Sequence, residues 1–572
     1  MGKINVLPDR IIGKIAAGEV VERPASVVKE CIENSLDANA GAIIVEIKKA
    51  GKVLISVRDD GDGIEPDDME KLFKRHATSK IREMEDLYAI RSLGFRGEAL
   101  YTIGSVADVV IISSQGKNGG AGTEIHVRGG ERISARPAGR PRGTTIEIRE
   151  LFFNTPARRK FLRSDQAEFR QILSVFIPYC ISLPEKRFSL SHNGRESAVY
   201  APSAGMLQRI CAVLGLDEKN LLQAEREFPE DGFSARLFLG DINLRRPRRD
   251  QQFVFVNGRP VYSQGISYAI NQTYRSMMPR DVYPVFVAFV DLPCENIDAN
   301  VHPSKKEVKL KNEAAVSSAI SSFITELLTG KGHAAEVKRV SVYFPAGKGG
   351  SLPALQSPLS ERKWDESIFG DGRENQEERE EAASLPLKSR LREAVYAGRY
   401  RNKYLFFESG DVLLVIDQHA AHERINFEKL KREFESGKVG VQQLLSPMII
   451  KMNPEEMSAW EDGEKTLEDI GFHTTRWDTN SVALHTMPLL IRNPELSLRS
   501  ILAEKNIFTA SREKLARKAC RGSVLAGEKV TEEEAARIKD DLLKCDMPLV
   551  CPHGRPTVVE FSESFFDRQF LR

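Results

Sequence analysis

Three stretches of the chain gather side chains that could do chemistry. In the first, Glu30 and Asn34 stand four residues apart. They border the apolar stripe of a helix that Val27, Val28, Cys31, Ile32, Ser35 and Leu36 predict behind a first-turn Pro24. A carboxylate at the edge of a core can act as general base on a water. An amide oxygen one turn later can ligate Mg²⁺, which prefers hard oxygen donors. The second stretch is Asp59-Asp60-Gly61-Asp62-Gly63, directly after a strand over Leu54–Val57. A buried aspartate there can accept a hydrogen bond from an exocyclic amine, and the glycines let backbone approach a ligand closely. Its spacing departs from the twelve-residue calcium loop. Thr78-Ser79-Lys80 follows, then Gly94-Phe95-Arg96-Gly97-Glu98-Ala99-Leu100, whose glycines open a helix where N–H groups can hold phosphate. Gly143-Thr144-Thr145 leads into a strand at Ile146–Ile148.

The third stretch lies far downstream. An apolar strand, Val412–Ile416, runs into Asp417-Gln418-His419-Ala420-Ala421-His422-Glu423, with Glu428 five further on. His419 and Glu423 share one helix face, and His422 lies a step off it. Cys551 and His553 stand two apart in Cys551-Pro552-His553-Gly554-Arg555-Pro556, and Cys520 adds another thiol. Mixed carboxylate, imidazole and thiolate donors suit zinc, with manganese at the harder positions. Taken singly, each of these groups is also what a solvated helix face or an acidic turn would show; their joint occurrence decides.

These groups must be carried by several folded units. At 572 residues the chain has length for three or four domains, and 41% hydrophobic with 29% charged residues fits real cores. Strand and helix patterns alternate through about residue 205 and then restart. Phe253–Val256, Asn257-Gly258 and Pro260–Tyr262 predict a hairpin, Val285–Val290 another strand, and Ala314–Leu328 a closing helix. From about 340 to 392 Pro, Gly and Ser gather and then charge, which predicts a disordered tether of about 50 residues spanning roughly 40 Å. Residues 361–381 carry nine acids and four bases, a net of −5, so the near-neutral total of +2 hides +7 on the rest of the chain. A near-neutral total therefore does not argue against a local nucleic-acid site. Seven scattered cysteines form no disulfide framework, which points to a reducing compartment. The start MGKINVLPDR has no signal-peptide core, and no apolar run nears the ~20 residues of a membrane span, so a cytoplasmic protein with no membrane partner is expected.

The order Glu30…Asn34, DDGDG, TSK, GFRGEAL, GTT resembles the GHKL (Bergerat) ATP-binding fold of gyrase, Hsp90-type chaperones and histidine kinases. More narrowly, IAAGEVVERPASVVKE at 15–30, RHATSKI at 75–81, GFRGEAL at 94–100 and NTPARRKFL at 154–162 resemble the MutL family of DNA mismatch-repair ATPases. No phosphate loop of the Gly-x4-Gly-Lys-Ser/Thr kind stands in the right context. The resemblance implies an α+β multidomain chain. It comprises a GHKL ATPase sandwich over 1–205, a ribosomal-S5-like domain over 206–335, a disordered linker over 336–392, and an α/β C-terminal dimerisation and endonuclease domain over 393–572.

It further implies Glu30 as general base, Asn34 on Mg²⁺, and Asp59 on the adenine amine with Gly63 and Thr144 nearby. Thr78, Ser79, Lys80 and Gly94, Phe95, Arg96, Gly97, Glu98, Ala99 and Leu100 would form the lid over the phosphates. In NVHPSK at 300–305, Lys305 would reach the γ-phosphate; Lys306 is adjacent. DQHA-x2-E-x4-E, ACR at 519–521 and CPHGRP resemble the endonuclease domain of nicking MutL proteins, implying Asp417 and Glu423 as catalytic metal ligands and His419, Cys520, Cys551 and His553 as the rest of a zinc or manganese cluster. Metal-assisted attack of water on a phosphodiester would follow.

Gln442, Leu444, Leu445 and Pro447 resemble a sliding-clamp-binding peptide. The two closing Phe-x-Arg strings, at 566–568 and 570–572, both resemble the family's terminal motif. Arg158, Arg159, Lys160 and Arg163, and separately Arg245, Arg246, Arg248 and Arg249, form basic clusters suited to DNA phosphates. Arg259 matches a family arginine implicated in DNA contact. The implied partners are DNA, the MutS mismatch-recognition protein, a sliding clamp and a second copy of the chain, with ATP as cofactor. The alternative is an ATP-dependent matchmaker that does not cut, with a structural metal in the tail. A chaperone or topoisomerase on the same ATP fold would leave DQHAAHE and CPHGRP unexplained.

Overall fold

The computed structural model describes residues 21–75, 77–78, 98–116, 121–275, 277–278, 282–293, 296–298, 309–329, 387–504, 507, 510–520 and 530–569. Ser79, Lys80, Gly94, Phe95, Arg96, Gly97, Cys294, Lys305, Lys306, Arg521, Phe570, Leu571, Arg572 and linker positions 336–386 lie outside them.

The first unit is built on an eight-stranded sheet. Its strands are β1 (Ala42–Lys48), β2 (Leu54–Asp59), β3 (Asp108–Ser114), β4 (Ala121–Arg128), β5 (Glu131–Gly139), β6 (Gly143–Arg149), β7 (Arg187–His192) and β8 (Arg195–Tyr200). They are ordered β5-β4-β3-β6-β2-β1-β7-β8. Every pair is antiparallel except β1 with β7, which run parallel. The parallel pair follows from a long crossover, since β2 to β6 and the helices Ala99–Val106, Pro156–Phe161 and Asp165–Ser182 separate the strands in sequence. Val45, Ile47, Ile55 and Val57 turn inward at period two against α1 (Pro24–Asp37) and α4 (Asp165–Ser182), which pack side by side. Between them in sequence lie α2 (Ala99–Val106) and α3 (Pro156–Phe161). Pro24 starts α1 at the position where a missing N–H costs nothing.

A second unit restarts with α5 (Met206–Leu214) and a five-stranded sheet of β9 (Leu221–Phe228), β10 (Phe233–Gly240), β11 (Gln252–Val256), β12 (Arg259–Val261) and β13 (Phe286–Asp291). Helices α6 (Gln264–Arg275) and α7 (Glu313–Thr329) pack together against it. The predicted hairpin is present: Val256 pairs with Arg259, and Asn257 and Gly258 take φ of 48° and 74°, the double positive φ that an Asn-Gly turn supplies.

The C-terminal unit holds two sheets. One orders β14 (Val395–Tyr400), β15 (Tyr404–Ser409), β16 (Val412–Asp417) and β20 (Val558–Ser562) as β14-β15-β16-β20. The other orders β17 (Val441–Lys451), β18 (His473–Asp478) and β19 (Ser481–Pro488) as β17-β19-β18. Helix α8 (Gln418–Ser436) bridges them, with α9 (Pro454–Asp469), α10 (Pro494–Leu502), α11 (Arg512–Ala519) and α12 (Glu532–Leu543) around it. Residues 387–393 are already helical, and Leu391 is fully buried with Leu405, Leu414 and Leu542. The folded unit therefore begins before 393, because a buried leucine ties down residues that composition alone assigned to the linker. Among the described residues no helix is long and apolar enough to cross a membrane.

Candidate functional site

The first candidate site sits where β2, α1 and β6 meet. Asp59 ends β2 and is buried. Ser35 of α1 donates its hydroxyl to Asp59 Oδ2 at 2.9 Å, while the N–H groups of Gly61 and Thr144 both donate to Oδ1 at 3.0 Å. The Asp59 main-chain oxygen accepts from Arg140 Nη2 at 2.6 Å. The carboxylate is thus aimed by three elements at once. Burial pushes its pKa above the ordinary range; the bonds from Gly61, Ser35 and Thr144 and the Arg140 charge oppose that push. Oδ1 is filled by its two N–H donors, and Oδ2, with one bond from Ser35, keeps a lone pair for an outside donor. Gly143, at φ 120°, has room for no side chain, since a Cβ there would fall 2.1 Å from the Asp59 carbonyl oxygen. Gly63, at φ 74°, lies equally tight on Ser114. The glycines of GDG and GTT therefore exist to bring two backbone segments together. The Thr144 hydroxyl meets that of Ser113 at 2.8 Å.

Glu30 and Asn34 lie half-buried on α1, one turn apart, while Ser35 on the same helix reaches the Asp59 carboxylate. Their neighbour Cys31 is fully buried. Burial, helped by the charges of Glu30 and Asp59, pushes its thiol up to about 12, so it is an inert core group. Glu33 accepts from the Tyr179 hydroxyl at 2.6 Å, which fixes α1 against α4. Thr78 is exposed; Glu98, Ala99 and Leu100 are half-buried where α2 begins.

The second candidate site is at the β16–α8 junction. The apolar strand ends in Asp417, whose carboxylate caps α8 by accepting from Ala420 N–H at 3.0 Å. Glu423 is buried one turn beyond. His419 Nε2 lies 3.3 Å from its Oε1, and His553 Nδ1 lies 3.4 Å from its Oε2. Ligand atoms of Glu423, Cys551 and His553 all fall within 4.8 Å of one another, although 128 or more positions separate Glu423 from the other two. Cys551 is folded back by a tight loop: its N–H donates to Arg555 O at 2.8 Å, and Gly554 takes φ 81°. The N–H groups of His553 and Arg555 both point at Cys551 Sγ, each at 3.4 Å.

The electrostatics of this trio favour a cation. Burial raises the Cys551 thiol, but the His553 bond and the two backbone N–H groups outweigh it, and the net shift is downward. Bonds to Cys551 and Glu423 lift His553 to about 9. Burial pushes Glu423 up, yet His419 and His553 hold it far below the carboxylate range. The Glu423 carboxylate and the Cys551 sulfur favour a proton on the His553 imidazole, and a metal ion can take that proton's place. The donor set fits zinc, and His419 Nδ1 is buried with no partner.

Of the other proposed ligands, Asp417 stands at the helix cap and His419 touches Glu423. Cys520 lies buried at the end of α11 in the apolar cluster of Phe427, Trp460 and Ala516. The trio contains none of these three. Sequence reasoning passed over Arg140 and Ser35 around Asp59, and over Arg424, which is buried beside Glu428; the Arg424–Glu428 i,i+4 spacing was the available signal.

Elsewhere, Arg159, Lys160 and Arg163 are exposed and Arg158 is half-buried on or beside α3, with no acid among them. Arg259 is half-buried on β12. Arg246, expected on a surface cluster, is a correction: it is 3% exposed and donates to Gln251 Oε1 at 2.8 Å. Gln251 in turn donates to Leu214 O, so Arg246 is held against α5 within the second unit and is withdrawn from any phosphate. The Gln442–Pro447 peptide lies in edge strand β17. Its pairing with β19 slips between Gln443 and Met448, which pushes four residues out of register and leaves Leu445 wholly exposed.

Three family models match the chain: a histidine kinase-, DNA gyrase B- and HSP90-like ATPase over 19–149, a DNA mismatch repair protein C-terminal domain over 212–329, and a MutL C terminal dimerisation domain over 397–530. A DNA mismatch repair protein MutL from Thermodesulfovibrio yellowstonii is 36% identical over 591 residues, covering all of both chains. One from Methanoculleus marisnigri is 34% identical over 591 residues, again covering all of both. Among solved structures, the Aquifex aeolicus MutL ATPase domain complexed with ADP is 31% identical, covers 48% of this chain and 93% of that one, and superposes with a TM-score of 0.38.

Proposed function

The chain belongs to the MutL family of DNA mismatch repair proteins, and from that premise we propose that it couples ATP binding to metal-dependent nicking of DNA. Its N-terminal unit is a GHKL ATPase and its C-terminal unit a dimerisation domain. The observation that carries the nuclease reading is the convergence of Glu423, Cys551 and His553 from opposite ends of the C-terminal unit.

In the ATP site Asp59 would accept the adenine amine on the free lone pair of Oδ2, Asn34 would ligate Mg²⁺, and Glu30 would take the proton of the attacking water. The family resemblance assigns Ser79, Lys80 and the 94–100 segment to the phosphates and Lys305 to the γ-phosphate; Ser79, Lys80, 94–97 and Lys305 lie outside the described residues. Asp59→Asn puts a donor where an acceptor is needed. It should weaken ATP binding by about 10- to 100-fold, on the scale of one charge-assisted hydrogen bond; equilibrium binding of a fluorescent ATP analogue measures this.

In the tail, zinc or manganese would be held by Glu423, Cys551 and His553, with His419, which touches Glu423, and Asp417 and Cys520 proposed as further ligands. The metal would supply an activated water and neutralise the phosphodiester charge. Arg158, Arg159, Lys160, Arg163 and Arg259 contact the DNA backbone, which directs no sequence choice. The bulged Gln442–Pro447 peptide offers Leu444, Leu445 and Pro447 to a sliding clamp, and MutS supplies mismatch recognition. A second copy covers the open face of the first C-terminal sheet, where Val395, Tyr400 and Val559 are exposed at 68%, 53% and 45%. Supercoiled plasmid incubated with the protein, with and without ATP and with Mn²⁺, Mg²⁺ or Zn²⁺ in turn, tests the reading: open-circular product should form with Mn²⁺. Metal bound without any nicking would favour the matchmaker with a structural metal.

A further inference from the structure

The motif Asp417–Glu428 contains one more acid than the metal cluster uses. Glu428 is 4% exposed and is not in the trio. Its carboxylate faces the tail segment that delivers Cys551: Oε2 accepts from Asp546 N–H at 2.8 Å and Oε1 from Met547 N–H at 3.3 Å. One turn earlier on the same helix, Arg424 is 6% exposed, donates Nε–H to Val550 O at 2.6 Å, and lies 3.6 Å from Glu428 Oε1. Arg432, a turn later, donates to Glu428 Oε2 and to Lys544 O, both at 3.3 Å. The bonds to Asp546, Met547, Val550 and Lys544 all join α8 to main-chain atoms of residues 544–550. The same segment is held from its other end, where Asp417 N–H donates to Thr557 O at 2.9 Å.

We propose that the buried Arg424–Glu428 pair is a positioning device that straps residues 546–550 to α8, so that Cys551 and His553 arrive at Glu423 with their metal-binding atoms already gathered. This rests on the metal-dependent reading of the tail and deepens it. Glu428 is then a positioning residue rather than a ligand. The physical case is one of range. Glu423 is fixed by its helix, but Cys551 and His553 sit on a loop whose own bonds hold only its internal shape. Main-chain hydrogen bonds to charged groups are strong and directional. Outer contacts that orient ligands change metal affinity by about 10- to 100-fold.

The test is zinc affinity of the full-length protein, measured by competition with a chromophoric chelator. The Co²⁺ spectrum at saturation and amide exchange of residues 546–557 serve as independent readouts. Glu428→Gln, which cannot accept from both N–H groups, should weaken zinc about 10- to 100-fold and speed exchange in that segment. The Co²⁺ bands should keep their positions and shape, because the ligands are unchanged. The double variant Arg424→Met/Glu428→Leu removes the strap without leaving a lone buried charge. It should keep its melting temperature and still bind zinc weakly. Parental zinc affinity in either variant, with native circular dichroism, would overturn the proposal. So would altered Co²⁺ band positions in Glu428→Gln, since they would make Glu428 a ligand. If the parental protein itself binds no zinc, it is the metal reading of the tail that fails.

Discussion

Asp417→Asn should leave ATP turnover and dimer formation unchanged and cut plasmid nicking in Mn²⁺ by ~100-fold or more. The substitution is clean for a structural reason. Asp417 caps α8 through Ala420 N–H, and on the proposed reading its carboxylate is also a metal ligand. Asparagine caps a helix as well as aspartate does, so the fold loses little. The negative charge is what disappears. A metal stabilises several kcal/mol of developing charge in such a reaction, and ~100-fold corresponds to about 3 kcal/mol. Nicking at the parental rate would remove Asp417 from the reaction. Loss of nicking together with a lower melting temperature would instead point to the cap.

Glu30→Ala should bind ATP with near-parental affinity and hydrolyse it about 10²- to 10⁴-fold more slowly, the usual range for a general base. Glu30 is half-buried on α1, whose register is set by Val27, Val28, Cys31 and Ile32 in the core and by Glu33 on Tyr179. None of these depends on the Glu30 carboxylate, and alanine favours a helix. Single-turnover hydrolysis alongside equilibrium binding separates the two effects. Equal loss of both would make Glu30 a binding group, and unchanged turnover would free it of the base role.

The two candidate sites were legible in the sequence to different depths. Local chemistry was readable where the chain is local. The Asn257-Gly258 hairpin, the apolar strand ending in Asp417 and the i,i+4 helix faces need only neighbours, and the fold places them where spacing put them. The parallel β1–β7 pair was not readable, because the paired positions lie 145 residues apart and no short-range signal encodes the crossover. Basic residues misled at Arg246, since a cluster of arginines looks the same whether it faces solvent or is buried against a neighbouring helix. Glu428 was visible as part of a motif, but its partners are main-chain N–H groups that carry no sequence signature. The same holds for Asp59: its type was informative, and the Gly61 and Thr144 amides that aim it were not. Cys520 illustrates the limit of donor counting. It has a ligand's chemistry, and the fold sets it among Phe427, Trp460 and Ala516.

The distance along the chain between Glu423 and Cys551 has a consequence for how the protein is made. Domains tend to fold as units while synthesis proceeds from the N-terminus. The Asp59 pocket is complete once Thr144 has left the ribosome, whereas the trio of the tail cannot exist until residue 553 has. A nascent chain therefore holds the Asp59 cradle for most of its synthesis before the trio can form. A frameshift anywhere between codons 424 and 551 removes Cys551 and His553 while sparing every described residue of the ATP pocket. On the proposed reading, one small lesion late in the gene would leave a protein that binds ATP but cannot nick.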